Sequence, residues 1–401
     1  MAMAGITIIG GGSGGISVAA RIRHLSQDIP IRIIEPSRNH YYQPLWTLAG
    51  AGIVDKHITE RPTESLIPRD VELIRDTVVR VAPETCEIFL KDTGKINYDY
   101  LIIASGLKLD WHKIEGLGDG LGTAGTCSIY EYKQADRVYE TIDSFTGGVA
   151  IFVMPPMPIK CAGAPQKIMY LAEEIWRKKG IRDRCRVMFV SATPSIFGIP
   201  LFADALRKIV DERHIETKFG HKIKGVDLNS KSAFFEVQGD DGKLETVSLR
   251  YDMIHIVPPM SAPEFVSESS LAVADGPQKG WLAVDQFTLQ HKIYENIFGI
   301  GDVTGIPNSK TGAAIRKQYP IVAQNILSVI KGEKPSLHYD GYSSCPLVTQ
   351  KGKVMLAEFG YDGKIMPTFP LDPSKPRRSY WYLKKDFLPK MYWHGMLKGR
   401  M

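Results

Sequence analysis

The chain is short of cysteine, of long apolar runs and of glycine turns in its middle, and each shortage excludes something. Cysteine occupies five of 401 positions (Cys86, Cys127, Cys161, Cys185, Cys345), an odd number at wide spacing, unlike the framework of a disulfide-stapled secreted domain. There is no C-x-x-C and no Cys/His pair at zinc spacing, so no metal site is expected. No apolar stretch approaches the roughly 18 residues that cross a bilayer. The first strand begins at about Gly5, which leaves no room for the apolar core of an export leader or a presequence, and none is expected.

What is present is enough for a large core: 44% of residues are hydrophobic, and the length suggests two or three domains. The formal net charge is +6, unevenly spread. From Lys375 to Met401 there are eight Lys/Arg and one acid, Asp386, a net +7, so the preceding body sums to −1. A neutral body with a basic tail points to an anionic surface.

Along the chain, Ile6–Ile9 reads as a buried parallel strand, Ser13–Leu25 as a helix and Ile31–Ile34 as a second strand; Tyr100–Ala104 is another. The middle repeats the rhythm with strand Val149–Val153, helix Gln166–Lys178, strand Arg186–Ser191 and a helix near Phe202–Arg213. Residues 222–247 alternate polar and apolar around a DDG turn, as an antiparallel meander does. Strand Ile297–Ile300 and a long helix Thr311–Ile330 follow. The fold class expected is α/β: two Rossmann-like dinucleotide-binding domains with a small C-terminal amphipathic element. The boundaries expected are 1–110 with 291–335 for a discontinuous first domain, 111–290 for the second, which carries Cys161, and 336–401 for the C-terminal region.

Gly10, Gly12 and Gly15 fit G-x-G-x-x-G between a strand and a helix. Glycine there allows a tight turn and lets a pyrophosphate approach the helix N-terminus. Glu35 ends the second strand, where a carboxylate accepts ribose hydroxyls. Two further strand ends, YLIIASG (Ala104, Ser105, Gly106) and FGIGDVT (Gly301, Asp302), favour FAD over NAD: both resemble the flavin disulfide reductase pattern, in which the second aspartate binds the ribityl chain. Lys310, before the long helix, is a cation that could face a flavin. Flavoproteins reduced by NAD(P)H usually carry a second glycine turn mid-chain. Here the strand runs into MPPMPIKCAGAPQ instead, with prolines and Cys161. A helix N-terminus lowers a thiol pKa, so electrons are expected to enter through sulfur. Cys345 sits in a second proline-flanked loop, GYSSCPLVT. Cys86 and Cys185 read as small buried hydrophobes; Cys127 is left open.

The tail SYWYLKKDFLPKMYWHGMLKGRM mixes aromatics with lysines, and Pro389 splits it into two short amphipathic pieces. Trp381, Leu383, Phe387, Leu388, Trp393 and Leu397 are the expected membrane contacts of a monotopic anchor. Nucleic acid is not expected, because no basic patch on the body matches the tail.

The stretches HYYQPLWTLAGAG (His40–Gly52), PIKCAGAPQKIMYLAEE (Pro158–Glu174), IVPPMSAP (Ile256–Pro263), TLQHKIYENIFGIGDVTGIPNSKT (Thr288–Thr311) and YDGYSSCPLVT (Tyr339–Thr349) resemble the sulfide:quinone oxidoreductases, in the branch that includes the mitochondrial enzyme. The resemblance covers nearly the whole chain. It implies FAD as cofactor, Tyr42 and Pro44 beside its ring system, and a quinone as acceptor near Phe359 and Tyr380. It also implies that Cys161 and Cys345 form the redox disulfide. Sulfide attacks at Cys345 and leaves a persulfide there. Cys161 is freed as a thiolate that reacts with the flavin, and a second nucleophile such as glutathione, sulfite or polysulfide removes the sulfur. Cys127 lies near a third functional cysteine of some bacterial branches. Peripheral attachment to the cytoplasmic face of a bacterial inner membrane, and possible homo-oligomers, complete the expectation. The alternatives are a type II NADH:quinone oxidoreductase-like flavoprotein, the flavin subunit of a sulfide dehydrogenase that passes electrons to a cytochrome, and a non-enzymatic FAD-binding membrane scaffold.

Overall fold

A computed structural model describes residues 4–401. β1 (Ile6–Ile9), fully buried, is the centre of a five-stranded parallel sheet. Its neighbours run in the order Ile297–Gly299, Tyr100–Ile103, β1, Ile31–Ile34, Val71–Ile74. The near-continuous Ile/Leu/Val content of these strands follows from burial of both sheet faces. Helix α1 (Ser13–Leu25) starts after a three-residue glycine turn and carries Arg23 in its last turn, a cation placed where it suits the helix dipole.

β2 (Gly148–Met154) is the centre of a second five-stranded parallel sheet, in the order Thr126–Cys127, Met253–His255, β2, Cys185–Ser191, Glu216–Lys218. It leads into α2 (Ala164–Lys178), whose first turn contains Pro165, at a position where its missing N–H costs nothing. Three antiparallel strands (Lys222–Asp227, Ser232–Gln238, Leu244–Arg250) form the meander beside it. The helix expected from Phe202 begins at Pro200 and ends at Glu212. Helix α3 (Gly312–Ile330) is capped by the Thr311 hydroxyl, which accepts the Ala314 N–H at 3.2 Å. A hairpin of β3 (Ser343–Gln350) and β4 (Lys353–Phe359) packs against α2.

The tail departs from expectation. It is one continuous, kinked helical run, Arg378–Tyr382, a π-helical turn Leu383–Phe387, and Leu388–His394. Pro389 does not split it, because it falls in the first turn of the last piece, where proline is tolerated. Trp381, Trp393 and Leu397, expected to meet a membrane, are instead buried in the body, Trp393 at 4% and Leu397 at 0% exposure. Burying large apolar side chains stabilises by roughly 1.5–3 kcal/mol each, which outweighs leaving them outward. Phe387 remains exposed at 57%, Leu383 and Leu388 are half-buried, and Tyr382 is exposed at 65%. No helix among the described residues is long and apolar enough to cross a membrane.

Candidate active site

The glycine turn after β1 is shaped for a ligand. Gly10 has φ +104°, and a Cβ there would lie 2.5 Å from the Ala104 carbonyl oxygen, so only glycine fits. A Cβ on Gly12 would meet nothing within 4 Å. The start of α1 therefore opens onto free space, with helix N–H groups unpaired as at any helix start. Glu35 is held beside the turn: its Oε2 accepts the Gly11 N–H at 2.7 Å and its Oε1 the Ser37 N–H at 2.7 Å. A carboxylate has about four acceptor sites, so both oxygens can still take a ribose hydroxyl. The Ser105 hydroxyl and the Gln318 amide nitrogen are buried without a protein partner, and Gln318 Oε1 accepts the Gly301 N–H at 2.9 Å. Asp302 beside it is pushed above the usual carboxylate range by burial, against the pull of Lys310 and Lys160. Open helix start, diol-accepting carboxylate and unpartnered buried donors together fit FAD.

Lys310 does not extend as a free cation. Its ammonium donates to the Asp302 carbonyl at 2.7 Å and the Thr304 carbonyl at 3.0 Å, and lies 3.8 Å from the centre of the Trp281 ring. It staples the Asp302 turn, and burial lowers its pKa to about 8.

Nine residues separate β2 from α2, and they make a different kind of turn. Pro155, Pro156 and Pro158 bring no N–H. The Cys161 N–H is spent on the Lys310 carbonyl at 2.9 Å, and the Ala164 N–H on the Cys161 carbonyl at 2.8 Å. What the turn offers is a thiol. Cys161 takes φ +49° and is fixed there by the Tyr130 hydroxyl, placed 3.2 Å from both the Lys160 and Cys161 carbonyls. Cys345, on β3 and 3% exposed, faces it. A Cβ on Gly163 would sit 2.5 Å from the Cys345 Sγ, so glycine is needed for β3 to come this close. The two thiols, both free, lie within hydrogen-bonding reach of each other.

Their environment separates them. Cys161 is held well below the usual thiol range, by its bond from Cys345 first and by the Lys167 ammonium, 3.2 Å from its Sγ. Cys345 is pushed up by the same bond and by burial. Lys167 is buried, yet the thiols' charge holds its pKa up against desolvation. Lys384 arrives from the π-helical turn of the tail, 3% exposed, and donates to the Pro44 carbonyl at 3.0 Å. Burial and the like charge of Lys167 lower it to about 7.

Lys167, Lys384, Tyr130 and Gly163 were not legible as site residues. Lys167 carried one signal, a cation in the first turn of a helix, where the dipole disfavours it. Cys127 is not brought to this cluster. It is fully buried in the second sheet, opposite His255 in register, and burial raises its thiol, so the residue the sequence left open packs in the core. Tyr42 is buried 4.6 Å from the ring of Tyr392, and Phe359 and Tyr380 pair with Phe197 and Phe369 at 6.0 and 5.6 Å between ring centroids.

The model of the pyridine nucleotide-disulphide oxidoreductase family matches residues 5–149. Among curated proteins, the mitochondrial sulfide:quinone oxidoreductase of Mus musculus is 42% identical over 98% of this chain and 86% of its own. That of Dictyostelium discoideum is 41% identical over the same shares. Among solved structures, the sulfide:quinone oxidoreductase from the bacterium Aquifex aeolicus shares the fold with a TM-score of 0.82 at 22% identity, over 99% of this chain and 92% of that one.

Proposed function

The chain belongs to the sulfide:quinone oxidoreductase family, and from that premise we propose how its own residues divide the work. It is an FAD-dependent enzyme that oxidises sulfide and reduces a quinone. FAD, held by the glycine turn, Glu35 and the Asp302 turn, supplies a two-electron carrier between sulfur and quinone.

Cys161 and Cys345 are the redox pair. In the oxidised protein they share a disulfide. Hydrosulfide attacks the Cys345 Sγ, the S–S bond to Cys161 breaks, a new S–S bond forms a persulfide on Cys345, and Cys161 leaves as a thiolate. The direction of attack follows from the electrostatics: the thiol with the lower pKa is the better leaving group, and Lys167 sits on Cys161. That contact is the observation that carries the reading. Lys167 and Lys384 also make the pocket attractive to an anionic substrate. A second nucleophile (glutathione, sulfite or polysulfide) takes the sulfane sulfur from Cys345 and leaves it a thiolate; re-forming the disulfide with Cys161 would then release the two electrons that bound FAD would accept. Phe359 and Tyr380 are proposed to line the quinone slot.

The membrane surface is proposed to meet the outward face of the tail, Tyr382, Leu383, Phe387 and Leu388 with Lys385 and Lys390, as a peripheral contact. The first domain is proposed to comprise 1–110 with 291–335, the second 111–290 and the C-terminal region 336–401, in a protein that forms a homo-oligomer. The test is the position of the first sulfur. The protein is treated anaerobically with one equivalent of sulfide, alkylated and analysed by peptide mass spectrometry. The added sulfur is expected on Cys345. Its appearance on Cys161 would reverse the roles.

A further inference from the structure

The aromatic tail residues that turned inward have specific partners. The Tyr392 hydroxyl lies 2.6 Å from the Ser13 hydroxyl and 2.5 Å from His40 Nε2, and His40 Nδ1 lies 3.1 Å from the Gly11 carbonyl oxygen. Only one set of proton positions satisfies all three contacts. A carbonyl only accepts, so Nδ1 carries the proton. Burial keeps His40 neutral, its pKa lowered to about 4, so Nε2 is bare and accepts from Tyr392. The Tyr392 oxygen then accepts from Ser13. Ser13 is the first residue of α1 and Gly11 the middle of the glycine turn, so this directional chain ends at both sides of the cofactor's pyrophosphate cradle.

The rest of the segment is laid along the same helices. His24 Nε2 lies 2.7 Å from the Lys398 carbonyl oxygen. Gly399, at φ +66°, packs so closely on α1 that a Cβ would be 2.5 Å from the Arg21 nitrogen. The Met401 N–H donates to the Tyr319 hydroxyl on α3 at 2.7 Å. Trp393 lies beneath the Arg61 guanidinium, 4.4 Å from its ring centre, with the Tyr42 ring 6.2 Å away. A surface anchor requires none of these contacts.

We propose that Tyr392 is a cofactor-positioning residue, and that through it docking of the 388–401 segment and retention of FAD form one coupled equilibrium. The inference rests on the FAD reading of the glycine turn. Coupling of this kind is reciprocal: cofactor that fixes Gly11 and Ser13 favours the docked segment, and the docked segment slows cofactor loss. The same run of chain carries the outward face proposed for the membrane, so membrane contact and cofactor retention would share one element.

The test uses holoprotein and Tyr392→Phe, which keeps the ring and removes the hydroxyl. Flavin release into rising KBr is followed by the fluorescence of free FAD. Tryptic cleavage after Lys390 and Lys398 is followed with and without excess FAD. Loss of one hydrogen bond from a buried chain corresponds to about tenfold, so release is expected to be about tenfold faster in Tyr392→Phe. FAD should slow tail cleavage in the wild type and slow it less in the variant. Ser13→Ala should shift release in the same direction. Unchanged release in both variants, or tail cleavage indifferent to FAD in the wild type, would overturn the proposal while leaving the cofactor reading standing. A wild-type protein that binds no FAD would defeat both.

Discussion

Two five-stranded parallel sheets in this molecule place a helix after their central strand, and the two junctions have opposite chemistry. After β1, the turn and the start of α1 open onto free space at Gly12, while the Gly10 and Gly11 N–H groups go to the Ile34 carbonyl and the Glu35 carboxylate. After β2, three prolines bring no N–H and the Cys161 and Ala164 N–H groups are spent on carbonyls, and the helix start presents Cys161 with Lys167 against Cys345. The same architecture thus makes an anion cradle in one place and a thiolate in the other. The difference lies in which polar group the turn leaves free. We propose that sulfur, not a pyridine nucleotide, is the electron donor met at the second junction.

The comparison breaks most completely when the thiols are removed. Cys161→Ala and Cys345→Ala are each expected to lower sulfide-driven quinone reduction by about 10⁴-fold or more, the scale of losing one member of a catalytic unit, with flavin content unchanged. Anaerobic turnover beside the flavin absorbance checks both. The mirror experiment is Gly12→Val. Its side chain would project into open space, so the protein should fold with normal circular dichroism yet purify without flavin.

A smaller effect sharpens the electrostatic half of the comparison. Lys167→Met removes the cation at the Cys161 Sγ. The folded thiol pKa, depressed first by the bond from Cys345 and further by that charge, should rise. Alkylation of Cys161 in the reduced protein, measured against pH, should then need more alkaline solution in the variant. In the wild type, reactivity should persist on acidification until the depressed pKa is crossed. The smallest effect is Glu35→Gln: the Gly11 N–H keeps an acceptor while the carboxylate's charge and one acceptor oxygen are lost. FAD affinity should fall about five- to tenfold, the value of roughly one net hydrogen bond, as read by flavin fluorescence quenching.

The first junction was legible in the sequence because its determinants are local: strand, glycine turn, helix and acid fall in order within Ile6–Glu35. The second was legible by its proline and cysteine content, and the pairing of Cys161 with Cys345 only through resemblance, since 184 residues separate them. Lys167 and Lys384 were hidden for a different reason. A buried lysine is exceptional unless paired, and its partner is visible only after α2, β3 and the tail have packed together. The tail misled for the converse reason. An amphipathic helix with aromatics suits a membrane and a protein groove equally well, and the partners that turn one face inward, such as Ser13 and His40 for the Tyr392 hydroxyl, lie more than 350 residues away in the chain.

The central claim, that the second junction admits electrons from sulfur and not from a pyridine nucleotide, is tested most directly by anaerobic titration of the bound flavin with sulfide and with NADH. Prompt bleaching of the flavin absorbance by sulfide, lost in Cys161→Ala and absent with NADH, is the result expected. Bleaching by NADH, or sulfide bleaching that survives in Cys161→Ala, would contradict the account.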